Sequence, residues 1–292
     1  QMVMTIGAMT GHFGKSGHMC GVSCHTGSSN GGPALVSAGR DGLPSVENPV
    51  DDSLNHTEMW RAIVEGKYNF TGDMTWQKGE IRDIDIRMIY HDSRCVLQTA
   101  DGMTKGIEAH RKVDLVVSHA HFLTTNAKYS DFVLPLTTEW EKVGGLLTGN
   151  REILIYYSQI TEPMYECHSD EWIAIELGKR LGVDTTKAYP FDDKQRLFNH
   201  LAGSTVVLPD GKTKAPLVTI TEADIAEWGV QGEPQQGVIT LKEFQEKGLY
   251  QVERKPGDNY GYIAYKAFRE DPVNNPLGTA SGKMEIHSQA LA

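Results

Sequence analysis

The chain has 292 residues, 39% of them hydrophobic and 23% charged, and its 28 Lys and Arg against 38 Asp and Glu leave a formal net charge of -10. That composition suits one large or two modest globular domains and excludes disordered, collagen-like and coiled-coil classes. The acidic balance, without a Lys/Arg run, argues against a nucleic-acid partner, and no stretch nears the roughly 20 apolar residues that would insert directly into a membrane.

The start has no basic leader and no cleavage pattern, so no signal peptide is read there. Gln1 followed by Val3, Met4, Ile6 and Met9 reads as a helix already in progress, without a capping residue, and it ends near Gly11. The expectation is an internal piece of a longer protein. Residues 10–42 are glycine-rich and almost uncharged. Such a loop suits a ligand, because its backbone N–H groups approach a polyanion closely. His12, His18, Cys20, Cys24 and His25 lie in this stretch. Their spacing lacks the second close pair of a zinc or iron–sulfur site, so no metal ligand is assigned. Cys95 and Cys167 read as packed thiols.

Asp51 to Lys67 predicts a helix. Ile84 to Tyr90 predicts a strand that ends in the polar group His91, Asp92, Ser93 and Arg94. A helix around Met103 to Arg111 comes next, then the β-branched strand Val113 to Val117 ending in Ser118 and His119, then a third strand over Asp131 to Pro135. Strand, helix, strand, short helix, strand is the doubly wound, mostly parallel α/β pattern, whose ligand lies outside the carboxyl ends of the strands. No G-x-G-x-x-G or P-loop occurs, so an ordinary dinucleotide or ATP site is not indicated. Ile153 to Tyr157 predicts another strand. Ser169 to Gly182 predicts a helix with a serine cap, acids in its first turn and a glycine stop. Beyond Pro190 the character changes to short helices over Asp192–Ala202, Glu222–Trp228 and Leu241–Lys247, with a turn into a strand over Ser281–His287. The expected division is an α/β domain over 1–188 and an α-rich, irregular appendage over 189–292.

Several stretches carry a resemblance. The run Thr124 to Gly144 resembles the "T-x-T-A-x-x-A-D-[apolar]-V-L-P … E-K-x-G" segment of the prokaryotic molybdopterin oxidoreductases, departing from it at Asn126, Ser130 and Phe132. Thr10 to Gly17 resembles that family's "T-G-x-x-G-K-P-G" turn, with Ser16 in place of proline. Val116 to His119 is similar to its "V-V-x-D" strand end, Ser169 to Trp172 to its "x-D-x-W" helix start, and Gly278 to Ile286 to its "T-P-S-G-K-[I/L]-E" segment. The insert Ile225 to Asn275 is most similar to catalytic subunits of the dimethyl sulfoxide reductase type.

The resemblance implies the second half of one pterin-dinucleotide-binding domain over 1–188 and a linker toward a further domain after it. It implies a molybdenum atom held by two molybdopterin guanine dinucleotides, and a 4Fe-4S cluster in the parent protein that this chain does not ligate. The implied reaction is oxygen-atom transfer from a small S- or N-oxide in anaerobic respiration. The implied partners are an iron–sulfur electron-transfer subunit and a membrane-anchor subunit, with the parent exported to the cell envelope. No residue of this chain is assigned as catalytic, and the isolated chain is expected to be inactive. The implied dinucleotide contacts are Ser118, His119, Lys142 and Asp170, with Asp92 and Ser93 at the neighbouring strand end and His25, Thr26, Gly27 and Asn30 in the glycine-rich loop. The family usually has an acid where His119 stands and often Asn-Pro near Asp92 and Ser93. Other readings stay open: Lys142 as a surface ion-pair partner, Asp170 as a helix N-terminal acid, His119 as a core imidazole, and the whole chain as a free-standing nucleotide- or pterin-binding module without redox chemistry.

Overall fold

The structure is a computed structural model, and it describes residues 2–18, 32–50, 52–70, 80–92, 95–100 and 102–286. The fold is mixed α/β, built as two compact units. One comprises Gln1–Leu43, Val143–Ser158 and Pro190–His287; the other comprises Pro44–Lys142 and Gln159–Tyr189. The division expected between 188 and 189 lies one residue from the last crossing between units among the described residues, but the chain also crosses at three earlier points, so the first 43 residues and the 143–158 segment group with the C-terminal part. Among the described residues no helix is long and apolar enough to cross a membrane.

The unit containing Pro44–Lys142 is built on a three-stranded parallel sheet. Leu115–Ala120 is its centre, flanked by Met88–His91 and Phe132–Pro135. Val116, Val117 and Ala120 are buried, as expected of a central parallel strand covered on both faces. The register sets Ile89 opposite Val116 and Ser118 opposite both His91 and Val133. Asp131 fixes the approach of the third strand, since its carboxylate accepts the Val116 N–H at 2.8 Å. Helix Met103–Lys112 crosses between the first two strands and packs against helix Met59–Glu65 around Trp60, Ile63, Leu97 and Ala109. Gly106 permits this packing, because a Cβ there would lie 2.5 Å from the Leu97 side chain and 3.1 Å from the Trp60 ring.

Two sequence expectations shift here. The helix expected over Asp51–Lys67 forms only over Met59–Glu65, and Lys67–Phe70 instead pairs antiparallel with Glu80–Asp83. Gly66 ends the helix at φ 71°, a left-handed stop that turns the chain into the hairpin. The strand expected from Ile84 begins at Met88, because the Ile84 N–H donates to the Gly66 carbonyl of the preceding hairpin and only the Arg87 carbonyl, which accepts from Asp114, bonds toward the parallel sheet among the described residues. Lys112 closes the end of helix Met59–Glu65 by donating to the Ile63 and Val64 carbonyls at 2.8 and 2.9 Å. Lys112→Met should lower stability by about 1 kcal/mol, read as an earlier urea midpoint with an unchanged slope. An unshifted midpoint would show that water satisfies those carbonyls equally well.

In the other unit, Gly144–Asn150 and Ile153–Ser158 form a hairpin extended by Leu249–Gln251. The sequence predicts only the second of these strands; the first begins Gly144-Gly145 and has no alternation to announce it. The helices beyond Pro190 stand where expected, at Asp193–Ala202, Glu222–Trp228 and Leu241–Lys247, each capped by an Asp or Thr side chain at its start. Their apolar faces close a core around Leu154, Phe198, Leu201, Leu217, Val218 and Phe244, so residues 190–286 are integral to this unit's packing. Residues 281–286 form a turn without the expected strand, and His287 lies outside the described residues.

Candidate functional site

Three parallel strands end on one edge of the sheet, bringing residues 91–92, 118–120 and 135–137 to the same side. That edge is where an open parallel sheet binds its ligand. Ser118 is buried, and its hydroxyl meets the Ser130 hydroxyl at 2.6 Å. Since the Ser130 hydroxyl donates to the Asn126 carbonyl at 2.8 Å, the Ser118 hydroxyl is the donor between the two serines. Its side chain is therefore committed to the interior.

His119 is held at both ring nitrogens. Nδ1 lies 2.6 Å from Asp170 Oδ1, and Nε2 lies 2.6 Å from the Tyr90 hydroxyl. A carboxylate only accepts, so Nδ1 carries the proton, and in the neutral ring Nε2 accepts from Tyr90. Burial, and then the charges of Asp92 and Asp170, push the Tyr90 phenol upward, which keeps it a donor. Asp170 opens helix Asp170–Arg180 beside its cap Ser169, whose hydroxyl accepts the Trp172 N–H at 3.1 Å. While the His119 side chain is 3% exposed, that of Asp170 is 42% exposed. The arrangement thus presents one oriented carboxylate at the edge, backed by a buried imidazole and a phenol.

His91 points into a different environment. Its Nε2 lies 2.8 Å from Nε2 of His110, whose Nδ1 donates to the Gly106 carbonyl at 2.7 Å. Both imidazoles are buried, and burial, reinforced by the neighbouring His110, pulls His91 down to about 4. At the end of the third strand, Thr137 donates its N–H to the His168 carbonyl, while its buried hydroxyl has no hydrogen-bond partner among the described residues. Buried hydroxyls in folded proteins are normally hydrogen-bonded, so this one stands out. Glu141 is buried and accepts from the Thr138 N–H and hydroxyl and from the Met164 N–H, at 2.7, 2.8 and 2.9 Å.

Of the residues expected to contact cofactor, His119 and Asp170 come together, Ser118 is buried and turned to Ser130 instead, and Asp92 lies exposed at the adjacent strand end. Lys142 is part-exposed and 3.5 Å from Glu139, so its ammonium has an ion-pair partner. His25, Thr26, Gly27, Asn30 and Ser93 lie outside the described residues, as do Cys20 and Cys24. Among the described residues no cluster of three or more His, Cys, Asp or Glu is arranged to hold a metal ion. Sequence reasoning missed Tyr90, Thr137 and Glu141. Only Glu141 had a local signal, the Thr-x-x-Glu spacing of a capping box from Thr138.

A family model described as molybdopterin oxidoreductase matches residues 1–180. Among curated proteins, the chain is 28% identical over 258 residues to dimethyl sulfoxide reductase DmsA of Escherichia coli, covering 86% of this chain and 28% of that protein. It is 26% identical over 302 residues to a trimethylamine-N-oxide reductase of Haemophilus influenzae, covering 99% of this chain and 33% of that protein. It therefore spans about a third or less of the length of these relatives. Among solved structures, acetylene hydratase from Pelobacter acetylenicus aligns with a TM-score of 0.43 and 18% identity, covering 81% of this chain and 24% of that one.

Proposed function

The chain belongs to the molybdopterin oxidoreductase family, which implies a molybdenum–pterin cofactor, and from that premise we propose that it holds one of two pterin guanine dinucleotides within a reductase of small S- or N-oxides. The observation that carries this reading is Asp170, a half-exposed carboxylate fixed by a buried histidine at the carboxyl edge of a parallel sheet, inside the segment the family model matches. The names of the relatives, dimethyl sulfoxide and trimethylamine-N-oxide reductases, support the substrate class. When bound, the cofactor would supply the redox chemistry of oxygen-atom transfer.

The chain's own residues fit the task of holding it. The Asp170 carboxylate accepts N–H donors from the Watson–Crick edge of the guanine. Lys142 faces phosphate as a point charge, exchanging its long contact with Glu139 for the ligand. The resemblance also assigns His25, Thr26, Gly27, Asn30 and Ser93 to the cofactor, all outside the described residues, and Asp92 stands exposed at the neighbouring strand end. The same proposal gives the parent protein a 4Fe-4S cluster outside this chain, an iron–sulfur electron-transfer subunit, a membrane-anchor subunit, and a place in anaerobic respiration at the cell envelope.

The test is to purify the parent holoenzyme with Asp170→Asn and assay molybdenum together with the GMP released on acid hydrolysis. The amide puts a donor where the guanine also donates, so GMP content should fall at least tenfold, in keeping with the loss of charged hydrogen bonds. Wild-type GMP and molybdenum levels in the variant would sink the assignment of Asp170.

A further inference from the structure

We infer that His119 is a positioning residue that acts on the cofactor through Asp170, with Tyr90 setting its tautomer. The inference rests on the reading of Asp170 as the guanine-binding carboxylate. Both ring nitrogens of His119 are already bonded, at 2.6 Å each, and its side chain is almost wholly buried, so it has no free polar atom to offer a ligand. Asp170 and Tyr90 both reach solvent, and of the two only Asp170 presents a carboxylate, its side chain 42% exposed. The three residues come from separate elements: Tyr90 and His119 from adjacent strands, Asp170 from the first turn of a helix 51 residues beyond His119.

Donation runs one way along this line. The Tyr90 O–H donates to Nε2, which leaves the single proton of the neutral ring on Nδ1, and Nδ1–H donates to Asp170 Oδ1. A carboxylate has about four lone-pair sites. One is taken by His119, which fixes the plane of the group and leaves both oxygens able to accept a pair of parallel N–H donors. The ligand edge this selects is one with two adjacent N–H groups, as in guanine, and not one that alternates donor and acceptor, as in adenine.

Asparagine and glutamine separate positioning from packing. In His119→Asn the new amide nitrogen falls near the place of Nδ1 and keeps the bond to Asp170. In His119→Gln the longer side chain carries its amide nitrogen to near the place of Nε2, where it faces Tyr90 instead. The parent holoenzyme carrying H119N, H119Q or H119L is purified, and released GMP, molybdenum and melting temperature are measured beside wild type and D170N. The expected result is GMP content within about twofold of wild type for H119N and a loss of about tenfold for H119Q and H119L, with H119N and H119Q melting together. If D170N loses GMP while H119Q keeps it, the role of His119 is overturned and the reading of Asp170 stands. If all three His119 variants lose GMP in step with melting temperature, the histidine is a packing residue and the inference fails. If D170N keeps GMP, both fall.

Discussion

Lowering the pH from 7 to 4 is expected to destabilise the unit built on the parallel sheet by about 2–3 kcal/mol through the buried His91–His110 pair. Imidazole in an unfolded chain titrates near 6.5, whereas His91 in the fold is held down to about 4, chiefly by burial, then by His110, against a small opposing pull from Asp92. His110 is also lowered by burial, with its bond to the Gly106 carbonyl acting the other way. The folded state therefore binds fewer protons than the unfolded state between these values. Stability from the neutral pair is fully present above pH 6.5 and is lost as pH falls toward 4. The hydrogen-bond pattern gives the same sign. His110 Nδ1–H donates to Gly106, so His110 Nε2 must accept from His91; a proton added at His110 Nε2 sets N–H against N–H at 2.8 Å. Urea titrations at pH 7, 5.5 and 4.5 should show the loss in wild type and a flatter profile in His91→Phe, which removes one titrating ring and keeps an aromatic of similar size. An equally steep profile in the variant would place the acid sensitivity elsewhere.

What was legible in the sequence was local. Helix Asp170–Arg180 announces its serine cap and acidic first turn, and the strand around Val116 and Val117 announces its burial, because each signal lies within a few residues of its effect. The site was legible only as a set of polar strand ends. Tyr90 and Asp170 stand 29 and 51 residues from His119 in sequence, and no local pattern pairs them. Two of the departures from the family segment, Asn126 and Ser130, have the same explanation. Asn126 is buried with its side-chain oxygen on the Leu97 N–H at 2.9 Å, and Ser130 is matched to Ser118. Each is half of a long-range pair, so each looks like an isolated irregularity when the chain is read in order.

The Glu141-Lys142 dipeptide should divide under mutation into a structural residue and a surface residue. Glu141→Gln is expected to cost about 2–4 kcal/mol, because a buried carboxylate accepting from three donors gives way to an amide whose NH2 must face one of them. Those same bonds, led by the Thr138 and Met164 N–H groups, hold the Glu141 carboxyl below its ordinary value. Its contribution is therefore present above the ordinary glutamate range and lost as pH falls through the lowered one. The bond to Met164 ties down the segment that carries Tyr165, whose φ of 57° is unusual for a residue with a side chain. Losing that tie should raise cleavage by chymotrypsin after Tyr165, which is 97% exposed. Lys142→Met breaks only a long, part-exposed ion pair and should change stability by less than about 1 kcal/mol. Denaturation midpoints of the two variants, with proteolysis at the 161–168 segment, separate the roles. Equal stability of Glu141→Gln and wild type would mean that the three donors find other acceptors, and a large loss in Lys142→Met would remove it as a residue free to meet phosphate.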